Sequence, residues 1–379
     1  MLGRNANTFL RCTLCRAKYD IDRTDYFCPY CVALHENHYG NMEVSYDFLE
    51  LRSVQFPNQP FTIYEGLTPM VRNESLSNAY GCSNLFYKCE MANPSGSFKD
   101  RASSYVIGQA IKLGKSDLVA ASSGNAGVSL ATYAMKAGLT CHIFVPQRTS
   151  REKLELLRLM KANITYVDGS FEDSYYASLK SDAVKGAYSC HAGSNPFAME
   201  GYKKTALEIF SQIGVPDKVV VPVGDGTYLS GIWKGFKELR QLGLSQRNPQ
   251  MIAVQVKGAD PVAIAFRMGL LKYVLKNPVE SAAEGIVASE SYNSIFTVKA
   301  LKESGGFPIS VTDEEIARNL RTAINNGMII EPTSAAALAA IPHLNDHETR
   351  RDETIVCMLT GSGIKTMSEI SGILSSTAG

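Results

Sequence analysis

Twice in this chain a short β-branched run ends in a turn of small residues and continues as a helical pattern. Lys218-Val219-Val220-Val221-Pro222-Val223 runs into Gly224-Asp225-Gly226-Thr227-Tyr228-Leu229-Ser230-Gly231, with a helix expected over Ile232 to Leu239. Asp117 to Ala121 runs into Ser122-Ser123-Gly124-Asn125-Ala126-Gly127, with a helix expected over Val128 to Ala137. Strand, small-residue turn and helix form the repeating unit of a parallel sheet, so the chain is α/β. The same unit makes an anion cup, because backbone N–H groups and the positive end of the helix face the turn. A dinucleotide fingerprint would need glycine where Leu229 stands, and no P-loop Lys-Ser/Thr follows.

Further strands are expected over Leu85 to Glu90, Cys141 to Pro146, Ile164 to Val167, Met251 to Val256 and Thr354 to Leu359. Helices are expected over Ser150 to Met160, Phe171 to Lys185 and Val262 to Asn277, and Thr312-Asp313-Glu314-Glu315 reads as a helix start. Val44 to Arg72 reads as extended, punctuated by Pro57, Pro60 and Pro69, and the last five residues as a disordered tail.

The stretch Asn93-Pro94-Ser95-Gly96-Ser97-Phe98-Lys99-Asp100-Arg101 carries the sharpest chemistry. Turn formers before it and a helical pattern after it put Lys99 at a helix N-terminus. The helix dipole and burial both disfavour an ammonium there. A neutral amine can form a Schiff base with a carbonyl substrate or an aldehyde cofactor. A solvated structural lysine is the competing reading from spacing alone.

Composition excludes several function classes. With 38 basic and 37 acidic residues the net charge is +1, so no broad field favours nucleic acid or an anionic membrane. No apolar run approaches the ~20 residues needed to cross a bilayer, and the first residues lack a signal-peptide pattern, so a cytoplasmic protein is expected. Cys12-x2-Cys15 and Cys28-x2-Cys31, separated by the twelve residues Arg16 to Phe27, match the knuckle spacing of a structural zinc site. His35 and His38 are spare ligands that four sulfurs make unnecessary. The other cysteines (Cys82, Cys89, Cys141, Cys190 and Cys357) read as packing residues without disulfides. Residues 1 to 45 contain no concentrated basic stripe that would turn the knuckles toward nucleic acid.

Asn93 to Arg101 resembles the Schiff-base lysine motif of the fold-type II pyridoxal-phosphate (PLP) enzymes, in its threonine synthase-like form. Four further segments fit the same family: Glu65-Gly66-Leu67-Thr68-Pro69, Asn195-Pro196-Phe197-Ala198-Met199-Glu200-Gly201-Tyr202-Lys203, Glu331-Pro332-Thr333-Ser334-Ala335 and Thr360-Gly361-Ser362-Gly363-Ile364-Lys365. The resemblance implies two open α/β domains of the tryptophan synthase β-like kind behind a small zinc-ribbon-like extension. The extension would be 1–45, the large cofactor-binding domain 46–98 with 200–379, and the small inserted domain 99–199. It implies a PLP-dependent lyase or synthase that eliminates and replaces a side-chain leaving group on an amino-acid substrate, with a homodimer as the expected assembly.

By the same resemblance Lys99 holds the cofactor and moves the α-proton, and Ser122, Ser123, Gly124, Asn125 and Ala126 grip the substrate carboxylate. Asn125 touches the ring hydroxyl. Gly224, Asp225, Gly226, Thr227 and Tyr228 take the 5′-phosphate, and Thr360 stands beside the pyridine nitrogen as a neutral hydroxyl, favouring prompt loss of the leaving group. The chain departs from the pattern at Ala198 and Tyr202, where the threonine synthases carry Arg and Gln. That puts O-phosphohomoserine in doubt as substrate, unless Arg148 or Arg151 substitutes. Two other outcomes stay open: a dehydratase or ammonia-lyase of the serine/threonine or diaminopropionate type, ending in a 2-oxo acid, and a non-catalytic binding protein that keeps the fold.

Overall fold

The computed structural model describes residues 8–34, 41–46, 56–58, 60–149, 151–191, 193–347, 350 and 352–376. His35, His38, Ser150, most of the tail and part of the stretch from Val44 to Arg72 lie outside them. The described residues cluster into two units, one drawn from 1–65 and 99–202, the other from 66–98 and 203–379. In chain order the strands are β1 (Thr8–Cys12), β2 (Lys18–Tyr19), β3 (Met42–Tyr46), β4 (Met70–Val71), β5 (Asn84–Cys89), β6 (Asp117–Ala121), β7 (Thr140–Pro146), β8 (Asn163–Val167) and β9 (Tyr188–Ser189). They continue with β10 (Lys218–Pro222), β11 (Gln250–Val256), β12 (Phe307–Val311) and β13 (Thr354–Leu359).

The unit that begins its second segment at Lys99 contains a four-stranded parallel sheet in the order β8-β7-β6-β9. The order reverses at β6, with β7 and β8 on one side and β9 on the other. Ligands of open α/β sheets bind beyond the carboxyl end of the strand at such a switch. Here that place is the turn Ser122 to Gly124. The same unit carries a small antiparallel sheet, β2-β1-β3, in which Leu10 faces Tyr19 and Cys12 faces Met42.

The other unit holds a six-stranded sheet, β12-β11-β10-β13-β5-β4, parallel except for β4. β10 is buried along its whole length. Beneath it the helix Pro332–Ala339 is buried throughout, its alanines letting the helix axis lie close to the sheet. β10, β13 and β5 are neighbours and parallel, so the turns that follow them emerge at one end of the sheet.

The strands expected from the sequence are present to within one residue at each end. Two helices start earlier than expected, at Asn125 and Thr227, because Gly124 and Gly226 act as N-caps and the following turn residues are already helical. The helix expected over Val262 to Asn277 is Pro261–Arg267. It stops where Gly269 takes φ +73° and Leu270 N–H folds back to Ala265 O at 2.8 Å, a left-handed terminus that caps the last carbonyls. The helix from Phe171 likewise ends at Lys180, with a 3-10 turn at Asp182–Val184.

Candidate active site

Two of the matched segments are tied together although more than 250 residues separate them. Gly96 O accepts from Ser362 N–H at 2.9 Å, Ser95 O accepts from Lys365 Nζ at 3.0 Å, and Phe98 N–H donates to Thr360 O at 3.0 Å. The first matched segment reaches the same loop: Gly66 N–H donates to Asn93 Oδ1 at 2.9 Å, and Thr68 Oγ1 donates to Glu90 Oε1 at 2.9 Å. The Phe98 ring packs on Tyr228 with centroids 4.2 Å apart. Residue 98 is therefore fastened both to the turn after β13 and to the helix start after β10. The next residue is Lys99, the first of the helix Lys99–Lys112, and it is half-buried.

The turn after β10 is built for close approach. Gly226 has φ +87°, and a Cβ there would lie 2.1 Å from Thr297 Oγ1, so only glycine fits. The helix Thr227–Gln241 follows directly, and its glycine cap offers no side chain to the first-turn N–H groups. Asp225 bends onto its own turn, its Oδ1 accepting from Thr227 N–H at 2.8 Å. Sequence reading missed the segment that buttresses this turn: Asn293 donates from Nδ2 to Thr227 Oγ1 at 2.6 Å and from its backbone to Asp225 O at 2.7 Å. Thr360 is buried, donates to Glu331 Oε1 at 3.3 Å and lies 3.1 Å from Ser334 Oγ. Ser97 Oγ is fully buried and has no hydrogen-bond partner among the described residues.

Within the other unit a cavity opens beside Lys99. Its walls come from one face of the lysine helix (Ala102, Ser103, Val106), from Ala126 and Leu130, and from Cys190, Ala198 and Tyr202. The last two project from the helix Pro196–Ile213, which crosses the lysine helix so closely that a Cβ on Gly201 would lie 1.9 Å from Arg101 O. Ser129 donates to the buried Asp100 carboxylate at 2.6 Å, so Ser103, 2.7 Å from Ser129 Oγ, is the donor of that pair. Ser103 thus turns lone pairs, not a hydrogen, toward its surroundings. Arg148 and Arg151 are exposed, and Arg151 pairs with Glu155 of its own helix.

Other buried lysines are committed to carboxylates. Lys88 Nζ meets Glu208 at 2.8 Å, Lys203 meets Glu238 at 2.9 Å, and Lys218 is paired with Glu353.

At the N-terminal end the sulfurs of Cys12, Cys15, Cys28 and Cys31 all lie within 4.8 Å of one another, with Cys12–Cys31 at 3.7 Å and Cys15–Cys28 at 3.6 Å. Zn–S bonds of about 2.3 Å set tetrahedral sulfur–sulfur edges of about 3.8 Å. Burial and the neighbouring thiols push Cys31 up to about 12, while burial of Cys28 is outweighed by the hydrogen bond from Tyr19 and neighbouring donors, bringing it down to about 6. Four such groups crowded together call for a cation, and the cluster can hold zinc. All nine cysteines are free thiols. Among the described residues no helix is long and apolar enough to cross a membrane.

The family described as pyridoxal-phosphate dependent enzyme matches residues 61–361, and this chain belongs to it. Its curated relatives include the threonine synthase of Methanocaldococcus jannaschii, 34% identical over 94% of this chain and 92% of that one. The threonine synthase of Mycobacterium tuberculosis is 34% identical over 81% of this chain and 84% of its own length. Among solved structures, threonine deaminase isoform 2 of Solanum lycopersicum has a TM-score of 0.72 at 20% identity, covering 82% of this chain and 88% of that one, a likeness of fold. The chain is a PLP-dependent lyase of the fold-type II class, threonine synthase-like in sequence.

The residues present fit that cofactor. Taken separately, one unit offers a half-buried lysine that suits an aldehyde, and the other offers a glycine-capped helix start that suits a phosphate, together with a buried neutral hydroxyl at Thr360 and an orphaned one at Ser97 that suit a polar ring.

Proposed function

We propose that this enzyme removes a side-chain leaving group from an amino acid and adds a nucleophile, the reaction that the resemblance implies; the relatives named threonine synthase support this reading. Lys99 is the lysine that carries the cofactor. The observation that supports the reading is the double fastening of Phe98, the residue just before Lys99 in the chain, to the Thr360 turn and to the Tyr228 ring. When bound, PLP supplies an aldehyde and a ring that takes up electron density as a bond at the α-carbon breaks.

Each residue then has a distinct task. The Lys99 amine takes the substrate α-proton. Ser122, Ser123, Gly124 and Ala126 receive the substrate carboxylate at the start of the helix Asn125–Ala137, where the dipole favours it, and Asn125 orients the ring hydroxyl. Gly224, Gly226, Thr227 and Tyr228 receive the phosphate, while Asp225 shapes the turn through the Thr227 amide. Thr360, held by Glu331 and Ser334, would serve the ring nitrogen as a neutral hydroxyl by turning toward it the hydrogen that it gives to Glu331 here.

The cavity beside Lys99 bears on the leaving group. Among the described residues that line it, none but Lys99 is cationic, and Ser103 offers lone pairs, so the lining suits a phosphate dianion poorly. A neutral leaving group fits better. The same preference for a neutral leaving group fits a second reading, dehydration of a hydroxy amino acid to a 2-oxo acid. Incubation with O-acylated and O-phosphorylated homoserine, serine and threonine separates them. The expected result is turnover of a neutral ester faster than the phosphate ester, yielding a new amino acid. A 2-oxo acid as main product selects the dehydratase, and a cofactor-loaded protein that turns over none contradicts both.

A further inference from the structure

The four-cysteine module braces the segment that carries Cys190, Ala198 and Tyr202 to the Lys99 cavity. Both knuckles grip one strand start. Thr13, inside the first knuckle, donates from N–H and Oγ1 to Asn41 O at 3.2 and 3.0 Å. Phe27, beside Cys28, bridges to Asn41, and Met42 N–H donates to Tyr26 O at 3.2 Å. From there three side chains reach the segment that returns to the cavity. Asn41 Nδ2 donates to Gly193 O at 3.2 Å, Tyr46 donates to Glu200 Oε2 at 2.5 Å, and the Tyr26 and Tyr188 hydroxyls lie 2.6 Å apart.

The tyrosine contact continues into the helix that carries Ala198 and Tyr202. Asn195 Nδ2 donates to the Tyr188 hydroxyl at 3.2 Å, and Asn195 Oδ1 accepts from Phe197 N–H at 3.0 Å, capping that helix. Phe197 itself meets the Tyr26 ring edge to face, with centroids 6.1 Å apart. Glu200 is fully buried, so the Tyr46 hydroxyl is a charge-assisted contact in a dry place, where loss of the donor is costly. Every link lies within one unit, and the chain runs from the thiolates to the first turn of the helix lining the cavity.

We propose that metal bound by Cys12, Cys15, Cys28 and Cys31 positions the reaction site from a distance. It fixes Tyr26, Asn41 and Tyr46, and these hold Tyr188 to Tyr202, which set Ala198 and Tyr202 beside Lys99. Tyr26 and Tyr46 are positioning residues, not catalytic ones. The catalytic consequence rests on the reading of Lys99 as the reactive amine; the structural coupling does not.

The test uses the full, cofactor-loaded protein with zinc bound, then stripped by a chelator under reducing conditions, then reloaded with zinc. Amide hydrogen exchange is followed over Tyr188 to Tyr202, with β6, β7 and β10 as references. The expected result is a loss of protection of about tenfold in Tyr188 to Tyr202, reversed by zinc, with the references unchanged. Tyr188 to Tyr202 staying protected while the knuckles open overturns the coupling. So does a loss spread evenly across Lys99 to Tyr202, since the module would then merely hold the unit together.

Tyr26→Phe and Tyr46→Phe, checked to retain zinc, give a second readout. Each should raise KM for the amino acid several-fold with kcat within about twofold, on the order of one lost hydrogen bond. Unchanged KM in both variants contradicts the positioning role. Were the protein to turn over no amino acid, the exchange result would still decide the coupling and only the reading of Lys99 would fall.

Discussion

The loop before Lys99 and the segment before Ala198 are held by different means. The lysine loop is sutured largely through backbone groups: Ser95 O, Gly96 O and Phe98 N–H all engage the turn after β13. The return segment hangs on side chains, the hydroxyls of Tyr26, Tyr46 and Tyr188 and the amides of Asn41 and Asn195. Backbone sutures tolerate substitution and give one fixed geometry, which suits a loop leading into the lysine proposed to do the chemistry. Side-chain struts can be changed one residue at a time, which suits a wall that sets specificity. The contrast also separates what a relative must keep from what it can alter.

The strongest way to break this picture is Gly201→Ala. Its Cβ would stand 1.9 Å from the Arg101 carbonyl, so the return helix must move off the lysine helix. A loss of about 3 kcal/mol or more in denaturant unfolding is expected, since neither backbone can yield locally. An unchanged midpoint would mean the two helices are not locked together.

A smaller effect comes from acid. His191 is buried, edge-on to Tyr175 with centroids 4.7 Å apart, and its ring nitrogens meet Ser178 at 2.8 Å and Ser189 at 2.9 Å. Burial lowers it from 6.5 to about 4. The folded state therefore binds fewer protons than the unfolded chain across this window. Stability is full above pH 6.5 and falls as the pH drops toward 4, by roughly 3 kcal/mol when complete. His191→Gln should flatten that slope, as measured by urea unfolding at a series of pH values. An equally steep slope in the variant would assign the loss to other groups.

These two regions also differ in how far the sequence reveals them. The strands were legible because β-branched runs such as Val219 to Val221 allow little else, and the lysine loop because its turn residues and Lys99 sit together. The glycine at 201 was visible as part of a pattern, but its reason, contact with Arg101, appears only when the helices cross. Asn293 and the tyrosine struts carried no local signal. A tyrosine that reaches a partner more than 150 residues away leaves no periodicity behind it. The shortened helix after Pro261 was missed because a glycine within a helical pattern gives no sign of its φ, and at Gly269 the positive φ ends the helix.

Borohydride reduction of the cofactor-loaded protein, followed by peptide mapping, tests the central claim most directly. A pyridoxyl group on Lys99 is the predicted result. The label on Lys88, Lys203 or Lys365 would contradict the account.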